Sequence, residues 1–410
     1  MKVVFFLQTF PNPSETFILN QITGLIDRGL TVRIVSQFQS EHKVSHARIE
    51  EYDLMSKTSY VCIPTNDLAL ILRALFVFIK IPKKKWFNTV RLMRDEYKKS
   101  GPSRMLEILF DIYPLIREKN VDIIHCHFGH NGEHIAFLKS YGLVSAQVIT
   151  TFHGYDMSRL IQKYGSDMYS YLKKYGDLNL PISEYWKNKL IHIGFDHSRI
   201  VVSRMGVNVK MFHCKQSWDQ KKTLKLLTVA RFVEKKGIEY AISAVHVVTG
   251  SFSKGSIEYN IVGLGPLQDR YEALIHNLSL EDTVHLLGPK TQEEVCELMN
   301  SSDVFILPSV TASDGDQEGI PVSLMEAMAT GLTVITTYHT GIPELVDDGL
   351  NGFMVQERDT AALADRLAAL IDNPSLLISI ARESRKTVAS RFNNETILDE
   401  LVGIYESQMP

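Results

Sequence analysis

Two carboxylates eight positions apart, Glu318 and Glu326, flank the run Gly319-Ile320-Pro321-Val322-Ser323-Leu324-Met325. Pro321 has the fixed φ and missing donor tolerated at a first helical position, and Gly331 is the residue favoured just past a helix end. Pro321 to Thr330 is therefore predicted to be a short helix, with Glu318 in the loop that feeds it. At helical rise the axis advances only about 8 Å from Pro321 to Glu326, so the free N–H groups of the first turn lie between the two acids. Those donors and the helix dipole favour a phosphate. Each acid can accept hydrogen bonds from a vicinal diol, one on a sugar and one on a ribose. The arrangement suits a nucleotide sugar. An ordinary surface helix with a charged first turn has the same spacing, so the pair needs further residues to support it.

Arg231 and Lys236 supply cations of the right kind. They fall in Ala230-Arg231-Phe232-Val233-Glu234-Lys235-Lys236-Gly237, just after a predicted strand, where two positive charges can clamp a diphosphate and stabilise it as it leaves. Lys235 reads as part of a solvated basic turn. Gly263 and Gly265, in Val262-Gly263-Leu264-Gly265-Pro266, allow close backbone approach to a ligand. Pro266 and the absent third glycine argue against a dinucleotide fingerprint there.

These residues need a scaffold that brings loops together, and the chain offers one. Short apolar runs alternate with helical patterns, as a parallel α/β architecture demands. The first half has candidate strands at Lys2 to Leu7, Thr31 to Ser36, Val121 to His125, Gln147 to Thr151 and Leu178 to Ile182. The pattern restarts at Lys225 to Ala230, Glu258 to Val262, Val284 to Leu286, Val304 to Leu307 and Thr333 to Thr336. Two doubly wound, Rossmann-like domains follow, with a hinge in Ser203-Arg204-Met205-Gly206-Val207-Asn208 and the ligands in the interdomain cleft, beyond the carboxyl ends of the strands. Residues 1–206 and 207–390 are assigned to these two domains. Asp359 to Ile371 and Phe392 to Ser407 read as helices.

Composition agrees with a globular two-domain protein. The 410 residues exceed the usual size of one core, and 45% hydrophobic with 22% charged residues is ordinary. A net charge of -3 leaves no nucleic-acid footprint. The opening apolar run is cut by Pro11, Pro13 and Glu15, which fits a first buried strand rather than a signal peptide and places the protein in the cytosol. Cys62, Cys126, Cys214 and Cys296 lack the spacing of a zinc or redox motif and read as reduced packing residues without a disulfide.

Taken together, the motifs resemble a retaining glycosyltransferase of family 4 with the GT-B fold. They are Ser14-Glu15-Thr16-Phe17, Phe152-His153-Gly154-Tyr155-Asp156, Arg204-Met205-Gly206-Val207-Asn208, Arg231 with Lys236, Gly263-x-Gly265-Pro266, and the paired glutamates. The run from Pro308 to Pro321, with Ser14 to Phe17, is similar to the colanic-acid and amylovoran exopolysaccharide branch. The resemblance implies that Glu318 contacts the donor sugar, with the backbone of Gly319, Ile320 and Pro321 beside sugar and phosphate, and that Glu326 holds the ribose. It implies that Arg231 and Lys236 bind the diphosphate, that Gly288-Pro289-Lys290 lies along the base, and that His153 meets the donor sugar from the first domain with Asp156 supporting its loop. It further implies a UDP-hexose donor, a lipid-linked saccharide acceptor, no metal and no other cofactor. The last helix, 391–410, would cross back to the first domain. A glycine-rich loop common in relatives is replaced here by Thr9 to Thr16; Ser14 reads as a helix cap, and Glu15 is left between donor and acceptor contact.

His125, His127, His130 and His134, with Cys126, fall within ten residues. Alternation puts His125 and His127 on one face and the others a helical turn beyond, so acceptor contact by His127 is the better reading than a metal site. From Arg73 to Lys99 nine cations face only Asp95 and Glu96, with Phe76, Phe78, Trp86 and Phe87 interleaved. That stretch suits an anionic membrane surface, which would make the protein peripheral to the inner membrane, or else a solvated helical hairpin with an apolar core side. A nucleotide-sugar 2-epimerase and a non-catalytic nucleotide-sugar-binding subunit are the rival functions.

Overall fold

The computed structural model describes residues 1–12, 15–40, 47–212, 223–253 and 255–409. The first sheet contains β1 (Lys2–Phe10), β2 (Thr31–Gln39), β3 (Thr58–Tyr60), β4 (Ile123–His127), β5 (Gln147–Phe152) and β6 (Leu178–Pro181). The second contains β7 (Leu224–Val229), β8 (Ile257–Val262), β9 (Val284–Gly288), β10 (Val304–Leu307), β11 (Thr333–Thr337) and β12 (Phe353–Val355). All recorded pairings are parallel, and the strand orders are 3-2-1-4-5-6 and 12-11-10-7-8-9. Counted within its own half, the second order read backwards repeats the first. Each sheet therefore reverses its winding beside its first strand, between β1 and β4 and between β7 and β10, which is where ligands bind in such folds.

Continuous apolar runs explain the central strands: Val3 to Leu7 and Val304 to Leu307 are buried on both faces by helices. The edge strands β3 and β12 were not expected. Each has three residues, too few to show a period. Pro321 caps its helix rather than beginning it. Its ψ of 124° is extended, and the helix runs Val322–Thr330 with Gly331 left-handed at its end. Glu15 holds the N-cap position of the helix Thr16–Asp27 without a side-chain cap bond, and the expected cap Ser14 lies outside the described residues. Cys62 is exposed rather than packed, Cys126 is buried, Cys296 is half-buried, and Cys214 lies outside the described residues.

The segment 203–208 runs beside the chain entering the last helix, Asn394–Ser407. Val207 N–H donates to Phe392 at 2.9 Å, and Asn394 N–H donates to Val207 at 3.0 Å. The last helix then packs on Thr16–Asp27. Leu398, Leu401 and Tyr405 are buried with Phe5 of the first sheet and Ile22 of Thr16–Asp27, worth about 1.5–3 kcal/mol for each fully buried side chain. A Cβ at Gly24 would come within 2.3 Å of Leu398, so the close approach needs glycine there.

Candidate functional site

Glu318 is 7% exposed and faces the loop that follows β7. Its Oε2 lies 3.1 Å from Lys236 Nζ and its Oε1 lies 3.5 Å from Lys235 Nζ, while Lys235 also pairs with Asp316 at 3.1 Å. Burial alone would push the Glu318 carboxyl up, but the two lysines overcome it and hold the group at about 2. Lys235 is thus a buried ion-pair residue and not a solvated turn. Its backbone explains why, since Val310 N–H donates to Lys235 C=O at 2.9 Å and ties this loop to the one after β10. The next residue but one, Gly237, is left-handed, and a Cβ there would strike Pro308 O at 1.9 Å.

The loop bearing Glu318 is held from behind. His339 Nε2 accepts the Glu318 N–H at 3.0 Å, so its Nδ1 carries the proton and donates to Glu357 Oε1 at 2.6 Å. Thr340 Oγ1 donates to the carbonyls of Glu318 at 3.0 Å and Gly319 at 3.1 Å. With both carbonyls engaged from behind, the N–H groups of Gly319, Ile320, Val322 and Ser323 have no protein acceptor among the described residues. Beyond its 3.5 Å ion pair with Lys235, the buried Glu318 Oε1 has no hydrogen-bond donor among the described residues. A buried acceptor without a donor stands beside several donors without acceptors, a combination that a polyhydroxylated anion would satisfy. His339, Glu357, Asp316 and Thr340 escaped the sequence reading, because nothing in their spacing relates them to Glu318.

Glu326 lies one turn into Val322–Thr330. It is half-exposed, yet its surroundings desolvate the carboxyl enough to raise it to about 7. Cys296, on the helix Gln292–Ser301, feels its charge.

The first domain contributes a facing wall. His153 follows β5, and its Nε2 lies 2.9 Å from His127 Nδ1 at the end of β4, with ring centroids 5.1 Å apart. Burial pushes both imidazoles down, His153 to about 3 and His127 well below its ordinary value, so both rings are neutral at pH 7. Asp156 fixes this loop by accepting from the N–H groups of His153 and Gly154 at 3.0 Å and of Gly129 at 2.8 Å; burial still pushes its carboxyl up to about 6. Gly154 and Gly319 meet across the cleft. A Cβ on Gly154 would sit 3.2 Å from Gly319 N, and one on Gly319 would sit 2.9 Å from His153 O. Gln317 N–H donates to Ser158 Oγ at 3.2 Å, and Arg159 pairs with Asp314 at 3.0 Å. Glu15 faces the second domain too: burial pushes its carboxyl up to about 7, against the pull of Asn12 and Arg231.

The structure thus gathers Glu318, Gly319, Lys236, His153, His127 and Asp156, and couples Glu15 to Arg231. Lys290 stands apart, pairing with Glu294 at 3.1 Å. Gly263 and Gly265 approach protein backbone: their Cβ atoms would meet Ala230 O at 1.9 Å and Phe232 O at 2.6 Å. They seat the Arg231 loop. His125 stacks on His127 with centroids 4.7 Å apart, whereas His134 stacks on Phe6 and His130 on Phe128, so the four imidazoles do not converge. Among the described residues no cluster of three or more His, Cys, Asp or Glu is arranged to hold a metal.

Comparison with known proteins identifies the scaffold. Residues 14–210 match the model described as Glycosyltransferase Family 4, and residues 212–387 match Glycosyl transferases group 1. WcaL of Escherichia coli K12, a glycosyltransferase assigned to colanic acid biosynthesis, is 37% identical over 412 residues, covering 99% of this chain and 100% of its own. The amylovoran biosynthesis glycosyltransferase AmsK of Erwinia amylovora is 36% identical over 413 residues, with 99% of both chains covered. Among solved structures, HepE of Anabaena in complex with UDP matches with a TM-score of 0.72 at 16% identity, over 99% of this chain and 100% of that one. Sucrose-phosphate synthase of Thermosynechococcus elongatus matches with a TM-score of 0.74 at 16% identity, over 99% of each. The fold is GT-B, and with relatives this similar along its whole length the chain belongs to the family 4, group 1 glycosyltransferases.

Proposed function

We propose that this enzyme is a retaining hexosyltransferase that moves a sugar from a UDP-sugar to a lipid-linked saccharide during assembly of a bacterial exopolysaccharide. The observation that carries the reading is the unmet donor and acceptor set at Glu318 and the Val322–Thr330 helix end, facing Lys236 from one side and His153 from the other. Likeness to WcaL and AmsK supports the pathway, and the HepE complex with UDP supports the nucleotide.

In this reading Glu318 Oε1 accepts from a hydroxyl of the donor sugar and Glu326 from the ribose diol. The free N–H groups and the cations Arg231 and Lys236 hold the diphosphate. The anomeric carbon–oxygen bond to the diphosphate breaks as the acceptor oxygen bonds that carbon on the same face, and the acceptor proton passes to the departing diphosphate oxygen. Lys236, Arg231 and the helix end stabilise the charge that develops there, so the reading requires no metal. His153 has no protein partner at Nδ1 among the described residues and meets the sugar with that nitrogen, while His127 sets the tautomer of its other one. Glu15 faces the acceptor.

The enzyme works at an anionic membrane surface. On the helix Asp67–Lys80, Leu68, Ile71, Leu72, Leu75 and Ile79 are more than half exposed, and the cations Lys83 and Lys84 follow. That apolar face is not the core side of a hairpin, because Leu70, Ala74 and Val77 already fill that role on the opposite face. No helix among the described residues is long and apolar enough to cross a membrane.

Thermal unfolding with a panel of nucleotides and nucleotide sugars tests the function. A raised midpoint with UDP and one UDP-sugar, followed by transfer of that sugar to a lipid-linked acceptor, supports it. Absence of any nucleotide response would overturn it. Nucleotide-sugar conversion without an acceptor would instead favour an epimerase.

A further inference from the structure

Thr340 has a φ of +44°, in the left-handed region that a β-branched side chain resists. It lies beyond β11, between His339 and Gly341, in the turn behind the loop that bears Glu318. The neighbouring glycine, which would accept such a backbone freely, instead has an ordinary φ of -86°. A strained residue of this kind persists only where its surroundings over-determine it, and such positions gather at working sites.

The work is done by the side chain. Thr340 Oγ1 shares its one hydrogen between Glu318 O at 3.0 Å and Gly319 O at 3.1 Å. In a planar trans peptide the N–H points opposite to the C=O, so drawing these two carbonyls backward turns the N–H groups of Gly319 and Ile320 forward, toward the cleft. Two donors are aimed by one hydroxyl.

Both flanks of the turn are anchored. On one side His339 accepts the Glu318 N–H at 3.0 Å and donates to Glu357 at 2.6 Å. On the other, a Cβ at Gly341 would sit 2.9 Å from Ser183 Oγ and 3.0 Å from Ile320 Cγ1, so the turn packs between the first domain and the loop it supports. Glu344 then accepts the Tyr185 N–H at 3.0 Å, in the first turn of the helix Glu184–His192, and pairs with Arg204 at 3.1 Å. Its C=O accepts from Arg391 at 2.7 Å. Held at both ends, Thr340 has no route to a relaxed backbone.

We propose that Thr340 is a positioning residue for sugar transfer: its left-handed turn and hydroxyl aim the N–H groups of Gly319 and Ile320 at the diphosphate as it departs. Alignment of the donors is maintained against the preference of the backbone, so relieving the strain and removing the hydroxyl have separable effects on stability and on rate. The inference rests on the reading of the Glu318 loop as the place of the donor diphosphate.

Three substitutions separate the two effects. Thr340→Ser keeps the hydroxyl and removes the branch, Thr340→Val keeps the shape and removes the hydroxyl, and Thr340→Gly removes hydroxyl and strain together. Initial rates with the UDP-sugar donor, calorimetric titration with UDP and thermal midpoints are measured on the full-length protein. Thr340→Ser should keep kcat/KM within about threefold of wild type, whereas Thr340→Val and Thr340→Gly should each lose about tenfold or more, chiefly in kcat and with UDP affinity changed less, as loss of transition-state stabilisation demands. Thr340→Gly should nevertheless unfold at a higher midpoint than Thr340→Val, because glycine accepts the left-handed backbone. Rates within about twofold of wild type in both hydroxyl-free variants would overturn the role. So would activity that follows the midpoints, with Thr340→Gly more active than Thr340→Val, since that is the behaviour of a residue that serves the fold alone. A wild type that neither binds UDP nor transfers a sugar would overturn the reading of the site, and the role with it.

Discussion

Lys236 Nζ lies 3.1 Å from Glu318 Oε2, so the cation proposed for the diphosphate and the carboxylate proposed for the sugar are already bonded to each other across two loops of one sheet. The bond keeps the acid ionised and the ammonium placed before any donor arrives. A site built this way loses little entropy on binding, because the charges need not be gathered at that moment.

Lys236→Ala should therefore lower kcat/KM by about 10²-fold or more, the scale of losing one group that stabilises developing charge. Initial-rate assays with the identified donor measure it. Arg231→Ala should act in the same direction with folding unchanged, since Arg231 is exposed. Rates within a factor of about two of wild type in both variants would defeat the assignment.

Glu326 sets a pH dependence. Its carboxyl is raised from 4.5 to about 7 in the folded protein, so the native state holds a proton that the unfolded chain gives up. The associated stability is complete below about pH 4.5 and is lost as pH rises through about 7. Glu326→Gln should raise the melting midpoint at pH 8 and leave it unchanged near pH 4. A ribose diol donating to this acid favours the ionised form, so nucleotide binding near pH 6.5 should release a proton. Calorimetry in two buffers of different ionisation enthalpy would detect that release, and identical heats would contradict it.

Lys235 neutralises two acids, Asp316 at 3.1 Å and Glu318 at 3.5 Å, while only 9% exposed. Lys235→Met leaves both carboxylates in a buried place with one fewer cation. A loss of about 3–5 kcal/mol is expected from denaturant unfolding, the scale for breaking one side of a buried pair. Lys235→Met/Asp316→Asn should recover part of the loss; no recovery would place the cost elsewhere.

Gly24→Leu should lift the last helix from the first domain, because the position has no room beside Leu398. Limited proteolysis should then cut within Asn394–Ser407, and activity should fall while UDP binding persists. Arg28→Ala, which removes the ion pairs to Glu395 and Asp399, should cost only about 0–1 kcal/mol, since both acids are well exposed.

For the membrane surface, Leu72→Glu/Ile79→Glu and Lys83→Glu/Lys84→Glu should each reduce sedimentation with anionic vesicles. Lys85 is a poor choice for such a test because its Nζ donates to Leu143 O at 2.6 Å. Equal vesicle binding by both variants would remove the proposed contact.

The sequence made the sheets legible because buried central strands such as β1 and β10 are long apolar runs between turn residues. The three-residue edge strands β3 and β12 carry no such period. Within the candidate site, Glu318, Arg231 and Lys236 were legible as positions because each lies in a loop beside a recognisable element, and Glu326 because it lies one turn into a helix bounded by Pro321 and Gly331. Lys235 was misread because neighbouring lysines look alike until Asp316, 81 positions away, is brought beside one of them. His339 and Glu357 were invisible for the same reason: their partner is a backbone N–H, which has no sequence signature. The paired glycines Gly263 and Gly265 were legible as close-approach residues, but what they approach is set by the tertiary fold.

Tyr405 bonds to His125, which stacks on His127 beneath His153, so the wall of the cleft made from the first sheet rests on a helix that follows the second sheet in the chain. During synthesis the first sheet emerges before β7 to β12, yet it lacks Leu398, Leu401 and Tyr405 until all of those strands have been made. The half that is made first is completed after the other. A chain halted before Asn394 would hold every described strand of both sheets but leave His125 without its tyrosine, so the order of translation itself delays assembly of this wall until the second half has been made.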